Sequence, residues 1–99
     1  MLNKKYSKDK KTCKVTFELP AEVGAKTAQL HGDFTGWEKA PKKMRRYEDG
    51  SFKVSVTLDA KKRYQFRYLL DGERWENDWQ ADRYSATSIP GVENSVVAV

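Results

Sequence analysis

The fold is decided by the stretch "RYQFRYLLDG", residues 63 to 72. Its apolar side chains occupy every second position, namely Tyr64, Phe66, Tyr68 and Leu70. A period of two is typical of a β-strand that packs one face on a core and turns the other to solvent. The Asp-Gly pair at 71–72 tolerates the positive φ angles of a tight turn, so the stretch predicts a strand and then a hairpin turn.

Other runs along the chain repeat this pattern. Four further strands are predicted at residues 14–19, 27–34, 51–58 and 95–99, with glycine, proline and Asp-Gly signals between most of them. No run shows the apolar period of an α-helix. Short strands separated by turns predict an all-β fold, an immunoglobulin-like sandwich of two antiparallel sheets.

The positive charge of the chain is concentrated at one end. Residues 1–14 hold six lysines and one aspartate, whereas the other 85 of the 99 residues hold 13 basic and 13 acidic side chains. We therefore predict a basic N-terminal segment at residues 1–13, interpreted as a solvated tail, followed by a single domain at residues 14–99. Nucleic-acid binding through the tail is an alternative that ranks low, because the body of the domain is neutral.

Side chains for catalysis and metal binding are scarce. His31 and Cys13 are the only histidine and cysteine, so a metal cluster, an internal disulfide or a histidine-activated nucleophile lacks its components. Carboxylates are frequent at residues 71–82, but a small sandwich offers no cleft to raise the pKa of one, and we interpret them as solvated. The sequence predicts a protein that is not an enzyme and uses no cofactor, with His31 hydrogen-bonded in a structural role.

Targeting signals are also missing from the sequence. No apolar run approaches the length of a membrane span, and the basic N-terminus has no apolar stretch behind it. A single cysteine fits a reducing compartment. These features predict a cytoplasmic location and no membrane partner.

Two tryptophans adjoin turns in a way that indicates a ligand face. Trp37 lies among turn formers in "GDFTGWEKAP", and Trp75 follows the Asp-Gly turn in "DGERW". If Tyr68 faces the core, the alternation turns Arg67 outward, between these two loops. An indole offers an apolar platform for a sugar ring, and an arginine donates directed hydrogen bonds to its hydroxyls. Burial of both indoles in the core stays open as the alternative.

Three motifs together resemble a known family. They are the Gly-x-Phe-x-x-Trp loop at 32–37, the Tyr-x-Phe-Arg-Tyr strand at 64–68 with Asp-Gly behind it, and a late asparagine before "SVVAV". From residue 14 onward the chain resembles the glycogen-binding module of the isoamylase N-terminal type, carbohydrate-binding module family forty-eight. That module precedes the catalytic domain of branching and debranching enzymes and forms the glycogen-binding domain of the AMP-activated kinase β subunit. The resemblance implies an early-set immunoglobulin-like sandwich, as in small stand-alone bacterial proteins.

The resemblance also implies four sugar-binding residues. Trp37 and Trp75 match the two tryptophans that stack on glucose in the family. Arg67 stands where the glycogen-binding members carry a lysine that bonds sugar hydroxyls. Asn94 matches an asparagine with the same role. We expect these four side chains to form one carbohydrate-binding site.

Some residues depart from the family pattern or lie outside it. Pro90 and Val92 replace a leucine and a threonine, which removes a hydroxyl donor and lowers the expected affinity. The turn before Trp75 is one residue longer than in the kinase subunit. Trp79 has no stacking role in the pattern and is predicted to pack against the sandwich. The basic run after Trp37, formed by Lys39, Lys42, Lys43, Arg45 and Arg46, is interpreted as a solvated loop or as a rim for a phosphorylated glucan or an acidic partner.

Two functions follow as hypotheses. In the first, the chain is a non-catalytic module that binds an α-1,4-glucan such as glycogen or a maltooligosaccharide. Two stacking platforms at about 1–3 kcal/mol each, with a few hydrogen bonds, predict micromolar or weaker binding. In the second, the sandwich has lost sugar binding and docks to a glycogen-metabolising enzyme or to a second copy of itself.

Overall fold

The computed structural model describes residues 2–99, which form short strands and two single-turn 3₁₀ helices. The strands are β1 (Leu2–Tyr6), β2 (Thr12–Leu19), β3 (Ala28–Gly32), β4 (Lys42–Lys43), β5 (Arg45–Arg46), β6 (Phe52–Asp59), β7 (Arg63–Leu70), β8 (Arg74–Glu76), β9 (Arg83–Ala86) and β10 (Glu93–Ala98). The 3₁₀ helices lie at Ala21–Val23 and Asp33–Thr35. Within residues 2–99, no helix has the length and apolar character needed to cross a membrane.

Two antiparallel sheets make up the molecule. One has the strand order β1–β2–β6–β5, and the other has the order β4–β3–β7–β10–β9 with β8 added beside β7. All the strand pairs are antiparallel. The sheets pack face to face as a compact immunoglobulin-like sandwich, which confirms the predicted all-β fold.

The alternating runs form the central strands. The strand predicted at 63–70 has the bounds of β7, and the other four predicted strands differ from β2, β3, β6 and β10 by no more than two residues at either end. Asp71 and Gly72 have φ angles of 53° and 72° and turn the chain from β7 into β8, which confirms the predicted hairpin. The sequence did not predict β1, β4, β5, β8 or β9.

The basic N-terminal segment contains an edge strand. β1 pairs with β2 along its whole length, from Leu2 opposite Phe17 to Tyr6 opposite Cys13. Lys4 also forms an ion pair with Asp82, just before β9 of the opposite sheet, with 2.7 Å between Nζ and Oδ2. The solvated-tail interpretation is therefore wrong for residues 2–6, while Met1 lies outside the described residues. Lysine suits an edge strand because its charge discourages pairing with another chain. A lysine-rich run is therefore compatible with an edge strand as well as with a solvated tail.

Aromatic rings fill the space between the sheets. Phe17 from β2 meets Phe66 from β7 edge to face, with 5.0 Å between the ring centroids. Phe34, in the loop after β3, packs its ring 5.6 Å from that of Phe17. Phe66 in turn contacts Tyr68, whose ring is fully buried. The apolar half of β7 therefore belongs to the core, and the other half faces outward.

The basic run after Trp37 connects the two sheets. β4 pairs with β3 in one sheet and β5 pairs with β6 in the other, so residues 42–46 cross the side of the sandwich. Met44, between the two strands, is buried in the core, whereas the lysines and arginines on either side are exposed. The charged side chains of this run lie in solvent.

Candidate functional site

Trp37 occupies a strained position in the loop after β3. Gly36 and Trp37 both have left-handed backbones, with φ angles of 62° and 56°. Glycine adopts this conformation without cost, whereas a bulky residue in it is an outlier that the surrounding structure must hold in place. The amide of Trp37 donates to the carbonyl oxygen of Gly32 at 2.9 Å. The tight turn therefore presents a large indole where glycine would fit the backbone better.

Two polar side chains brace this loop. Thr35 is buried, and its hydroxyl accepts from the amide of Gly32 at 3.1 Å and lies 3.0 Å from the carbonyl oxygen of Trp37. One carboxylate oxygen of Asp33 accepts from the indole N–H of Trp37 at 3.1 Å. The other accepts from the amide of Gln65 on β7 at 2.8 Å. Asp33 thus fixes the indole ring relative to the sheet.

Gly32 allows the loop to approach that sheet closely. A Cβ atom at this position would lie 2.8 Å from the carbonyl oxygen of Gln65 and 2.9 Å from the ring of Phe34. Any side chain would push the loop away from β7. The glycine of the Gly-x-Phe-x-x-Trp motif is thus required by packing rather than by its φ angle.

Trp75 lies on the outward face of the same sheet. The turn at 71–73 leads into β8, where Trp75 pairs with Leu69 of β7. The indole is 38% exposed, and its ring meets the ring of His31 edge to face at 4.9 Å. The additional residue in the turn therefore does not remove Trp75 from the face that carries Arg67.

Arg67 lies between the two indoles. Its guanidinium carbon is 4.8 Å from the ring centroid of Trp75 and 5.9 Å from that of Trp37, both within cation–π range. Its neighbour on β3 is His31. The Nε atom of Arg67 is buried and has no hydrogen-bond partner among the described residues. The parity prediction is confirmed: Tyr68 faces the core and Arg67 faces the indoles.

Asn94 stands beside Arg67 on the neighbouring strand. Because Ser95 of β10 pairs with Phe66 of β7, Asn94 lies level with Arg67. Asn94 is 9% exposed, and its amide nitrogen donates to the side-chain oxygen of Gln65 at 2.8 Å. Its own side-chain oxygen accepts nothing from the described residues. The structure thus brings the four predicted site residues together, and we call the surface formed by Trp37, Arg67, Trp75 and Asn94 the Arg67 face.

His31 is part of this surface, which the sequence did not indicate. Its ring is 4% exposed, Nε2 lies 3.4 Å from the side-chain oxygen of Gln29, and Nδ1 has no partner within residues 2–99. The side-chain hydrogen bond expected for a structural histidine is therefore a long one. Burial, together with the charge of Arg67, lowers the pKa of His31 below its usual value, against the opposing effects of Glu38 and of the backbone of Trp37. The ring is neutral at neutral pH and does not repel Arg67.

Unpaired polar atoms are concentrated on this surface. Within the described part of the chain, the buried side-chain atoms without a hydrogen bond are His31 Nδ1, Arg67 Nε and Asn94 Oδ1. These three residues occupy neighbouring positions on β3, β7 and β10. Buried polar groups are nearly always hydrogen-bonded, so a set of unpaired ones needs a bound partner or water. The unpaired atoms are therefore one acceptor, Asn94 Oδ1, one N–H donor, Arg67 Nε, and His31 Nδ1, which donates or accepts according to the tautomer of the ring.

Trp79 does not pack against the sandwich as predicted. It is 50% exposed, and its indole N–H donates to a carboxylate oxygen of Glu76 at 2.7 Å. The preceding residue, Asp78, is buried instead of Trp79. The amide of Asp78 donates to the hydroxyl of Ser95. A bend anchored at Asp78 turns the next side chain outward.

Asp78 also corrects the interpretation of residues 71–82 as solvated carboxylates. It is 1% exposed, and its Oδ2 accepts from the hydroxyl of Tyr68 at 2.7 Å. Burial, together with the charge of Asp78, raises the pKa of Tyr68 well above its usual value of 10.0. Tyr68 is therefore a stable neutral donor, and the pair ties the segment after β8 to the core.

Comparison with known proteins adds no assignment to this geometry. In residues 2–99, no group of three His, Cys, Asp or Glu side chains is placed to hold a metal ion. No protein-family model matches the chain, and no curated protein matches it. The Arg67 face must therefore be interpreted from its own residues.

Proposed function

We propose that the chain is a non-catalytic α-glucan-binding module whose ligand lies on the Arg67 face. The observation that carries this proposal is the pairing of two indole rings with unpaired hydrogen-bonding atoms between them. A sugar ring needs both, because its faces are apolar and its rim carries hydroxyls. The glycogen-binding resemblance predicts the same four residues from the motifs alone.

The conformation of Trp37 supports a binding role for its ring. A bulky residue at a positive φ costs of the order of 1–3 kcal/mol, and such strain is concentrated at ligand-binding positions. The ring adds little to the core, whose members lie elsewhere. A strained and partly exposed indole, held by Asp33 at its N–H, has the properties of a preorganised platform.

The unpaired atoms suit hydroxyl groups in particular. A hydroxyl both donates and accepts, so one sugar can satisfy the acceptor Asn94 Oδ1 and the donor Arg67 Nε once its binding displaces the side chains that cover these buried atoms. Leaving a buried polar group unpaired costs about 1–3 kcal/mol, and binding recovers part of this free energy. The affinity gained in this way is modest, in line with the micromolar or weaker binding expected from two platforms.

The test is calorimetric titration with maltoheptaose, comparing wild type with Trp37→Ala and Trp37→Gly. Both variants remove the platform. Glycine also adopts the left-handed backbone without strain, so a loss of binding shared by the two variants is not caused by backbone strain in Trp37→Ala. We expect each to weaken binding about 5- to 150-fold, as for a stacking platform worth about 1–3 kcal/mol.

Trp79→Ala is the matched control. It removes a half-exposed tryptophan that lies outside the Arg67 face, and we expect the affinity for maltoheptaose to stay unchanged. Absence of binding to the wild-type chain at millimolar maltoheptaose, or equal losses in Trp37→Ala and Trp79→Ala, would contradict the proposal.

A further inference from the structure

A basic cavity adjoins the Arg67 face. It has a volume of about 310 Å³, and its lining includes Arg63 and Arg83. Asp33 and Gln65 also line it. Both are hydrogen-bonded to residues of the Arg67 face, since Asp33 accepts from the indole N–H of Trp37 and the side-chain oxygen of Gln65 accepts from the amide of Asn94. The cavity therefore lies next to the Arg67 face.

The sheet register explains why the two arginines meet. Val96 of β10 pairs with Gln65 on one side and with Arg83 on the other, so these residues share the outward face. Arg63 lies two positions before Gln65 on β7 and has the same parity. Arginines from β7 and β9 thus flank β10 at the floor of the cavity.

Both guanidinium groups are available to a ligand. Arg63 and Arg83 are exposed, and neither side chain donates a hydrogen bond or forms an ion pair within the described chain. The one acidic residue of the lining, Asp33, already accepts hydrogen bonds at both oxygens, from Trp37 and from the amide of Gln65. Two positive charges and one negative charge leave the cavity with a net positive charge.

We propose that this cavity binds a phosphate monoester carried by the glucan chain, so that the ligand is a phosphorylated α-glucan. The proposal rests on the proposed function, because the glucan on the Arg67 face delivers the phosphate to the cavity. A guanidinium donates two parallel N–H groups to the oxygens of an anion. One carboxylate is matched by a single such fork, whereas the three oxygens and greater charge of a phosphate ester can be shared by two arginines.

The experiment compares three heptasaccharide probes by calorimetric titration at low ionic strength. They are maltoheptaose, maltoheptaose bearing one 6-phosphate, and maltoheptaose with one C6 oxidised to a carboxylate. We expect the phosphate to raise the affinity of the wild-type chain about tenfold, by adding charge-assisted hydrogen bonds, and the carboxylate to raise it less. The gain should shrink as salt is added, since both arginines are exposed.

The variant that tests the cavity is Arg63→Gln/Arg83→Gln. It should bind neutral maltoheptaose as the wild type does and lose the preference for the phosphorylated probe. The matched control, Arg45→Gln/Arg46→Gln, removes two exposed arginines from the other sheet and should keep that preference.

The possible outcomes separate the two proposals. Wild-type binding of neutral maltoheptaose with no gain from the phosphate would overturn the cavity assignment alone. An equal gain from the carboxylate, or retention of the preference in Arg63→Gln/Arg83→Gln, would also overturn it. Failure of the wild type to bind any of the three probes would overturn both.

Discussion

Strands β7 and β10 carry two polar clusters on opposite faces, and the clusters differ in how completely they are bonded. On the inner face, the hydroxyl of Tyr68 donates to Asp78, and the hydroxyl of Ser95 accepts from the amide of Asp78 at 2.8 Å. On the outer face, Arg67 and Asn94 each keep a buried polar atom without a partner. The same two strands thus hold a satisfied network towards the core and an unsatisfied one towards the indoles.

This difference separates stability from binding. A fully bonded network in the interior stabilises the fold, and its loss leaves buried groups unpaired. Unpaired atoms on a surface flanked by tryptophans add little to stability, because nothing in the fold uses them. Substitutions on the inner face should therefore lower the unfolding free energy, whereas substitutions on the outer face should lower the affinity for maltoheptaose.

The largest expected effect is that of Asp78→Ala. The substitution leaves the buried hydroxyl of Tyr68 without its acceptor and the amide of Gln80 without the carboxylate oxygen that lies 2.8 Å from it. We expect the free energy of unfolding to fall by about 2–3 kcal/mol, measured by urea denaturation.

Glu73→Ala is the control for Asp78→Ala. Glu73 is an exposed carboxylate in the same acidic stretch, and its removal should change the unfolding free energy by less than about 0.5 kcal/mol. Folded Asp78→Ala protein should still bind maltoheptaose. Equal stability losses in the two variants would remove the distinction between the faces.

Arg67→Met is expected to lower the affinity for maltoheptaose more than it lowers the unfolding free energy. Methionine keeps an apolar stem between the indoles and deletes the unpaired Nε, so the unfolding free energy should change by no more than about 1 kcal/mol. The affinity for maltoheptaose should fall about tenfold or more, through the loss of charged hydrogen bonds. Titration and urea denaturation of one preparation give both values.

Arg63→Met is the matched control for Arg67→Met. It removes an outward arginine from the same strand but outside the Arg67 face, and should leave the affinity for neutral maltoheptaose unchanged. A stability loss above about 2 kcal/mol in Arg67→Met, with binding retained, would make Arg67 a structural residue and break the comparison.

The smallest expected effect concerns pH. Because burial lowers the pKa of His31 in the folded state, the unfolded chain takes up a proton at higher pH, near the ordinary value of 6.5. The contribution of His31 to stability is therefore complete above 6.5 and falls as the pH drops from 6.5 towards the lowered pKa of the folded state. The urea midpoint should decrease between about pH 7 and about pH 5.

His31→Gln should reduce this pH dependence. The carboxylates with lowered pKa values, such as Asp71, titrate below their usual value of 3.8 and so act outside this window. An identical change of the urea midpoint in wild type and His31→Gln would show that His31 is not responsible.

The central strands could be predicted because their pattern is local. Each of β2, β6 and β7 buries one face, so the burial alternates along the sequence with the period of the strand. That parity also predicted that Arg67 faces outward, opposite to Tyr68. The edge strands β1 and β4 escaped prediction because they are short and rich in lysine, so no alternation of apolar and polar residues marks them in the sequence.

The candidate site was predicted through its residue types and motifs but not through its contacts. Trp37, Arg67, Trp75 and Asn94 stood out in the sequence, yet nothing local joined Asn94 to Gln65, which is 29 positions away in the chain. The buried position of Asp78 depends in the same way on Tyr68 and Ser95, which belong to two other strands. Acidic residues in a polar stretch are usually exposed, and only a donor from a distant strand makes burial of one favourable.

The sequence by itself determined the fold class, the central strands, the Asp-Gly hairpin and the outward parity of Arg67. These features depend on backbone preferences and on one-sided burial, which act between residues close in the chain. Only the tertiary structure decided that β1 is an edge strand, that Trp79 is half-exposed and that His31 lies beside Arg67. It also decided which polar atoms are paired and which stay open, because hydrogen bonding depends on the three-dimensional neighbours that a strand acquires when the sheets assemble.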